Sequence, residues 1–209
     1  MAMILKNLFR IIGDYKFSTI IVLFFELLYL IKGYKGNRFN FSNNDLMTDN
    51  IPCPYYLLFK IKKNLKSNNF LKFLDLGCGS GRVIDFVNKN FSNKNLTGIE
   101  YFTAQYEYCR KIFQKQENIK IIQADFTKLN LIQHDTDCYF FNDPFKKNSE
   151  FVKFMEKIIN SSPKKKILFI FVNFNKKAIE QLKNIQYIES FYINNNKGYS
   201  IYCLNNKLN

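Results

Sequence analysis

The 209-residue sequence is poor in several residue types that functional sites commonly use. Its single histidine, His134, excludes a metal site or a catalytic relay built on several histidines. Five cysteines show no C-x-x-C pair and no metal-ligand spacing, and their odd number leaves at least one unpaired, which favours a reducing, cytoplasmic compartment. They are Cys53, Cys78, Cys109, Cys138 and Cys203. We therefore expect no metal centre.

The sequence also lacks an apolar run long enough to cross a bilayer comfortably. Its most hydrophobic stretch, 17–31, is flanked by Lys16 and Lys32 and interrupted by Glu26. As a helix it would measure roughly 22 Å, against a bilayer core of about 30 Å, and no small-residue cleavage site marks it as a secretory signal. Three interpretations stay open: a helix docked on the domain, a helix lying in a membrane surface, and a short span. Residues 1–32 are thus a candidate for peripheral membrane contact.

Acidic residues are scarce as well, 17 against 31 lysines and arginines, for a net charge of +14. Such a charge is typical of proteins that bind nucleic acid or an anionic membrane. The lysines are scattered, however, and asparagine is abundant in every loop, which favours a general bias of composition. The charge alone leaves both explanations open.

Only eight glycines are present, but three of them, Gly77, Gly79 and Gly81, alternate within one short segment. The segment 71–82 reads L-K-F-L-D-L-G-C-G-S-G-R, which predicts a strand, a tight turn and the start of a helix. Glycines there allow positive φ and close approach of a ligand, and the free N–H groups of the helix start favour an anionic group. The dinucleotide fingerprint G-x-G-x-x-G would need glycine at position 82, where Arg82 stands, so a nicotinamide site is not favoured.

Strand and helix patterns alternate after this segment. They predict an α/β fold, a doubly wound and mostly parallel sheet that ends in an antiparallel hairpin. We expect two parts, an N-terminal hydrophobic helical segment with its linker (1–50) and one main domain (51–209). The predicted strands are 71–76, 95–100, 119–124, 138–142, 166–172, 185–193 and 199–204, and the predicted helices are 55–66, 82–90, 103–117, 150–160 and 176–183.

The pattern D-x-G-x-G-x-G after a strand resembles motif I of the class I, seven-stranded, Rossmann-like S-adenosylmethionine-dependent methyltransferases. In open α/β sheets ligands bind at the carboxyl ends of the strands, and acids end three consecutive strands here. The resemblance implies that S-adenosylmethionine is the cofactor, with Glu100 on the ribose hydroxyls, Asp125 on the adenine amino group and the ring of Phe126 packed on adenine. The full predicted cofactor set is Asp75, Gly77, Cys78, Gly79, Gly81, Glu100, Tyr101, Asp125, Phe126 and Asn142.

Strand four ends in Asn142-Asp143-Pro144-Phe145. This resembles the [D/N]-P-P-[F/Y] motif of methyltransferases that act on amines, although neither alignment supplies both prolines. A shorter N-P-F form occurs in small bacterial members of the family, and the segment I-P-C-P-Y-Y (51–56) resembles their entry to motif I. The resemblance implies catalytic roles for Asn142, Asp143 and Phe145: the polar groups hold the hydrogens of an amine, and the ring packs on the substrate. The structural alternative is a turn that uses Asn, Asp and Pro at a strand end.

The expected function is methyl transfer to a nitrogen of an unidentified acceptor, which could be a glycan or small molecule, a protein lysine or a nucleic acid. One family of lysine methyltransferases shares the order of an N-terminal hydrophobic segment and a D-L-G-S-G-D-G-R loop, but it lacks N-D-P-F. A different class of function is a non-catalytic, membrane-surface scaffold that keeps the fold.

Overall fold

A computed structural model of the protein describes residues 12–13, 15–36, 52–131, 135–162, 166–194 and 197–205. Residues 1–11 and 14 of the predicted N-terminal helical segment, linker residues 37–50 and His134 lie outside this part of the chain. The elements, in chain order, are α1 (Thr19–Ile31), α2 (Tyr55–Ser67), β1 (Lys72–Leu76), α3 (Arg82–Asn90), β2 (Asn95–Glu100), α4 (Thr103–Phe113), β3 (Ile119–Gln123), β4 (Cys138–Asn142), α5 (Asn148–Ser161), β5 (Lys166–Val172), α6 (Lys176–Ile179), β6 (Gln186–Asn194) and β7 (Lys197–Asn205).

The sheet has seven strands in the order β3-β2-β1-β4-β5-β7-β6. Strands β1 to β5 pair in parallel, whereas β7 runs antiparallel to both β5 and β6. This confirms the predicted doubly wound sheet with a C-terminal antiparallel hairpin. Because β1 and β4 are neighbours at the point where the strand order reverses, the loops that follow them meet at the same edge of the sheet.

The central strands β4 and β5 are apolar at successive positions, and successive side chains of a strand point to opposite faces of the sheet. Each of these strands therefore contributes apolar side chains to both faces. Phe140 faces one hydrophobic layer, together with buried residues of α2, α3 and α4 and Tyr29 of α1. Phe141 faces the opposite layer, which contains buried residues of α5 and α6. Helices thus cover both faces, and the candidate site lies at the open carboxyl edge.

The sequence predicted the strand bounds better than the helix bounds. Strands β2, β4 and β5 match their predicted limits. Helix α4 ends at Phe113, four residues before its predicted end at 117, and α6 ends at Ile179 rather than at 183. The four residues that follow α4 are all polar and supply no apolar side chain to hold a further helical turn on the sheet, whereas Leu182 follows α6 at helical spacing although the helix has already ended. The predicted strand ends at the hairpin were also too short, since β6 continues to Asn194 and β7 begins at Lys197.

Helix α1 packs on the domain through a polar contact as well as an apolar one. Val22 and Tyr29 are buried, and the ring of Tyr29 stacks on that of Tyr55 with centroids 4.7 Å apart. Glu26, the acid that interrupts the apolar run, faces inward: its carboxylate accepts from Arg82 Nη1 at 2.8 Å and from the Tyr55 N–H at 2.9 Å. Among the described residues, no helix combines the length and the apolarity that a membrane crossing requires.

Candidate cofactor and methyl-acceptor site

The glycine turn between β1 and α3 has the backbone that its sequence predicts. Gly77, Gly79 and Gly81 have φ angles of 80°, 53° and 85°, in the left-handed region that side chains disfavour. The N–H groups of Gly77 and Cys78 both donate to the carbonyl of Ile99, which fastens the turn to the end of β2.

Gly81 shows why a side chain would not fit this turn. A Cβ atom built there would lie 2.6 Å from the ring of Phe113 and 2.7 Å from the Cys109 sulfur. The turn is therefore packed directly against α4 without space for a methyl group. The side chain of Cys78 is buried beneath the turn, and a Cβ atom on Gly98 would meet its sulfur at 2.7 Å, so Cys78 acts as a small packing residue here.

Glu100, the last residue of β2, connects the strand end to the glycine turn. Its side chain is buried, and its two carboxylate oxygens accept from the N–H groups of Gly79 and Phe102, each at 2.8 Å. Burial raises the pKa of Glu100, and these backbone hydrogen bonds lower it again in part. Each carboxylate oxygen has a second acceptor direction, so Glu100 can also accept from a ligand hydroxyl.

Asp75 lies in β1 just before the turn and is almost fully buried, with 2% of its surface exposed. Its Oδ2 atom has no hydrogen-bond partner among the described residues. Burial, and secondarily the nearby Glu100, raise the pKa of Asp75 well above its usual value. Two buried carboxyl groups with raised pKa values and one unpaired oxygen form a site that a cationic ligand would complete.

The predicted site residues that follow β2 and β3 differ in their exposure and in their contacts. Tyr101 follows Glu100 and exposes 43% of its surface beside the turn. Asp125 caps a short 3-10 helix, where its Oδ1 accepts from Thr127 N at 3.0 Å. Burial acts to raise its pKa, but hydrogen bonds from Thr127 and Lys128 outweigh that effect, and the pKa lies below its usual value. Phe126 is buried and packs edge-on against other phenylalanines of the core rather than facing the cleft.

The turn after β4 lies directly against the glycine turn. A Cβ atom added to Gly77 would be 3.5 Å from Pro144 Cβ, so the two turns are close neighbours with space for about one methyl group between them. Asn142 ends β4, and its Oδ1 accepts from Asn173 Nδ2 at 3.2 Å. Asp143 has a φ of 44°, unusual for a non-glycine residue. Burial raises its pKa to about 6, and the positive charge of Lys197 opposes this rise.

Phe145 points away from this cluster of polar groups. Its ring lies 5.5 Å from Phe126, 5.8 Å from Phe151 and 5.4 Å from Phe154, centroid to centroid, within the layer that contains α5. The side chain is only partly buried, so one part of the ring still faces solvent. The predicted contact of Phe145 with a substrate stays a prediction, and its observed contacts are those of a packing residue.

The sequence did not reveal two residues of this edge. Asn173 follows β5, has a φ of 59°, and accepts from the Gly198 N–H at 3.3 Å, so it joins the β4 turn to the hairpin. Lys197 begins β7, and its positive charge lowers the pKa of Asp143. Extending the strand-end rule to strand five would have found Asn173. No local signal identifies Lys197, since its position depends on the antiparallel return of the hairpin.

Solved structures with the same fold include two methyltransferases. An S-adenosylmethionine-dependent methyltransferase from Clostridium acetobutylicum matches 71% of this chain and 91% of its own, at 14% identity and a TM-score of 0.55. An RNA methyltransferase from Salinibacter ruber, in complex with S-adenosyl-L-homocysteine, matches 76% of this chain and 97% of its own, at 13% identity and a TM-score of 0.55. At these identities the likeness concerns the fold.

A comparison of sequences agrees with this fold. Residues 73–161 match a family model described as a methyltransferase domain. The match indicates a methyltransferase, and the sheet has the fold of its class I structural neighbours. A curated relative, (S)-tetrahydroprotoberberine N-methyltransferase of Eschscholzia californica, is 34% identical over 59 residues. That match covers 27% of this chain and only 17% of the plant enzyme.

The geometry of the methyltransferase domain fits the cofactor of its family. S-adenosylmethionine carries a positively charged sulfonium and an ammonium group, which suit the unpaired oxygen of Asp75 and the negative charge of Glu100. Its ribose hydroxyls suit the further acceptor directions of the Glu100 carboxylate. Within the described residues no group of three or more metal-ligating side chains comes together.

Proposed function

We propose that the protein is an S-adenosylmethionine-dependent methyltransferase that methylates a nitrogen atom of its acceptor. The observation that carries this proposal is the close approach of the glycine turn and the β4 turn, which follow neighbouring strands and bring Gly77 beside Pro144. It brings the polar groups of Asn142 and Asp143 next to the cofactor turn. The N-methyltransferase name of the plant relative agrees with a nitrogen acceptor.

The side chains of the β4 turn suit an amine. Bound S-adenosylmethionine supplies a methyl group on a positively charged sulfur. The nitrogen must aim its lone pair at that methyl and lose a proton, so acceptors for its hydrogens are needed beside the cofactor. Asn142 Oδ1 is a carbonyl-type acceptor at this turn, which accepts from Asn173, and the Asp143 carboxyl, with a pKa of about 6, is largely ionised at neutral pH. We assign these two groups the role of holding and accepting the hydrogens of the amine.

Calorimetric titration tests the cofactor part of this proposal. We expect S-adenosylmethionine and S-adenosylhomocysteine to bind and NAD to show no binding. Binding of NAD in place of both would contradict the proposal.

Transfer of a labelled methyl group from S-adenosylmethionine to a host extract, analysed by mass spectrometry, tests the reaction. We expect label on a nitrogen of a small molecule, glycan, protein lysine or nucleic acid, and the fraction that carries it defines the substrate class. Label on oxygen would refute the nitrogen assignment. A protein that binds the cofactor and transfers no label to any fraction would favour the scaffold function.

A further inference from the structure

The outward side of α1 is apolar and uncovered by any described part of the chain. Ile20, Phe24, Leu27 and Ile31 expose 80%, 59%, 58% and 75% of their surfaces. Their spacing of four, three and four residues places them along one face of the helix. We call these four residues the α1 stripe. Soluble proteins rarely expose so many large apolar side chains in one row. Such a row is typical of an interaction site.

The neighbouring helix α2 extends the same surface. Phe59 exposes 47% of its area, and its ring lies 4.9 Å from that of Phe25 in α1, centroid to centroid. Lys63 and Lys66 follow Phe59 at spacings of four and three residues and are also exposed, so α2 presents one aromatic and two basic groups on one face.

The two helices that form this surface, with the residues that flank them, are strongly basic. Residues 15–36 and 52–67 contain a single acid, Glu26, which points inward and binds Arg82. The same ranges contain seven lysines: Lys16, Lys32, Lys35, Lys60, Lys62, Lys63 and Lys66. Glu189 of β6 lies near Lys60 and Lys63, where it accepts from the Tyr199 hydroxyl, so the lysines of α1 and α2 outnumber the acids beside them. An apolar stripe on such a basic surface is complementary to anionic lipid headgroups above an acyl layer.

We propose that the α1 stripe docks on the surface of an anionic lipid bilayer, with α1 lying in the plane of the interface. A helix of 13 residues is about 20 Å long, which suits this position and falls short of the bilayer core. A second copy of the chain is a poorer occupant, because pairing two such faces would bring their lysines together. The proposal is independent of the acceptor that the enzyme methylates.

The inner side of α1 gives this docking a consequence for the cofactor site. Glu26 binds Arg82, the first residue of α3, at 2.8 Å, and the Arg82 guanidinium lies 4.4 Å from the centre of the Tyr55 ring. Arg82 directly follows Gly81, the last glycine of the cofactor turn. Docking of α1 would therefore hold the cofactor turn in a fixed orientation relative to the lipid surface.

Sedimentation with vesicles tests the docking. The full chain should bind vesicles of phosphatidylcholine with 30 mol% phosphatidylglycerol, bind phosphatidylcholine alone at least about tenfold more weakly, and lose binding as salt is raised. Equal binding to both vesicles, or binding to neither, would overturn the proposal.

Paired variants with matched controls locate the surface. Phe24→Gln with Leu27→Gln should lower vesicle partitioning by about tenfold or more, since two apolar anchors are lost. The control pair Leu71→Gln with Tyr187→Gln removes side chains that expose 58% and 56% of their area elsewhere on the domain and should leave partitioning unchanged. Equal effects of both pairs, at unchanged melting temperatures, would contradict the assignment.

A fluorescent label distinguishes the rival occupants. All five native cysteines are buried, so Phe24→Cys provides one accessible thiol for an environment-sensitive dye. We expect a blue shift of the dye emission only when anionic vesicles are added. A blue shift in dilute protein without vesicles would mean that another segment of the chain covers the stripe, and one that appears with rising protein concentration, with a dimer in ultracentrifugation, would mean a second copy. Either result would overturn lipid docking.

Discussion

The glycine turn between β1 and α3 lies close to the β4 turn, but the two turns are stabilised by different interactions. At the cofactor turn the backbone N–H groups of Gly77, Cys78 and Gly79 are bonded to Ile99 and Glu100, and Gly81 is packed without space for a methyl group. At the β4 turn, Asn142 and Asp143 are only partly buried. The side chain of Asn173 donates a hydrogen bond to Asn142 Oδ1 and positions it. The backbones of Asn173 and Asp143 are both in the left-handed region.

This difference indicates a division of labour. A cofactor has one shape, so the turn that binds it can be packed tightly against the rest of the fold. The β4 turn depends on a few polar side chains, which can change without disturbing the core. Substitutions at the first turn should therefore affect folding and cofactor affinity together, whereas substitutions at the second should affect turnover alone.

The largest effect is expected at Gly81. Gly81→Ala would place a Cβ atom 2.6 Å from Phe113 at a φ of 85°, so it should destabilise the fold by about 3 kcal/mol or more and abolish S-adenosylmethionine binding. Gly33→Ala is the matched control, because Gly33 has a φ of 70° but nothing within 4 Å of an added Cβ atom. Gly33→Ala should lower the free energy of unfolding by about 1 kcal/mol, because it introduces backbone strain but no steric clash. Equal losses in thermal unfolding would show that packing at Gly81 contributes little.

The sequence predicted the glycine turn better than the β4 turn, because the interactions of the first are local in sequence and those of the second are not. The glycine turn and its strand are local, so the pattern at 71–82 was sufficient to predict them. Asn173 and Lys197 reach the β4 turn only through the pairing of β5 with β7, which residue spacing does not encode. The contact of Glu26 with Arg82 joins residues 56 positions apart and likewise had no sequence signal.

The next effect concerns the β4 turn. Asn142→Ala and Asp143→Ala should each lower turnover by about a hundredfold through lost positioning of the amine. Their affinity for S-adenosylhomocysteine, measured by calorimetry, should stay within about twofold of the parent value, since neither change touches the glycine turn. A structural turn without a catalytic role would instead lose about 1 kcal/mol of stability with turnover unchanged.

Substitution of Asp75 should have a smaller effect on stability than substitution of Gly81, and it should stabilise the fold rather than destabilise it. Its folded-state pKa lies above that of the unfolded chain, so ionisation of its carboxyl destabilises the fold as the pH rises from about 4 through the folded pKa. Asp75→Asn removes this cost and should raise the melting temperature at neutral pH. The same change should weaken S-adenosylmethionine binding by about tenfold, because a charged partner for the ligand is lost. A lower melting temperature would mean that the carboxylate is needed for folding.

The smallest effect is a shift in the pH profile of turnover. If Asp143 accepts a hydrogen of the amine in its ionised form, as we propose, its pKa of about 6 predicts that turnover rises with pH through that value. Lys197 lowers this pKa, so Lys197→Met should move the rise to higher pH by a fraction of a unit. Asp143→Asn should remove the rise from the residual activity. A profile that keeps its midpoint in both variants would assign the titration to the substrate amine instead, and would leave Asp143 as a packing residue of a partly buried turn.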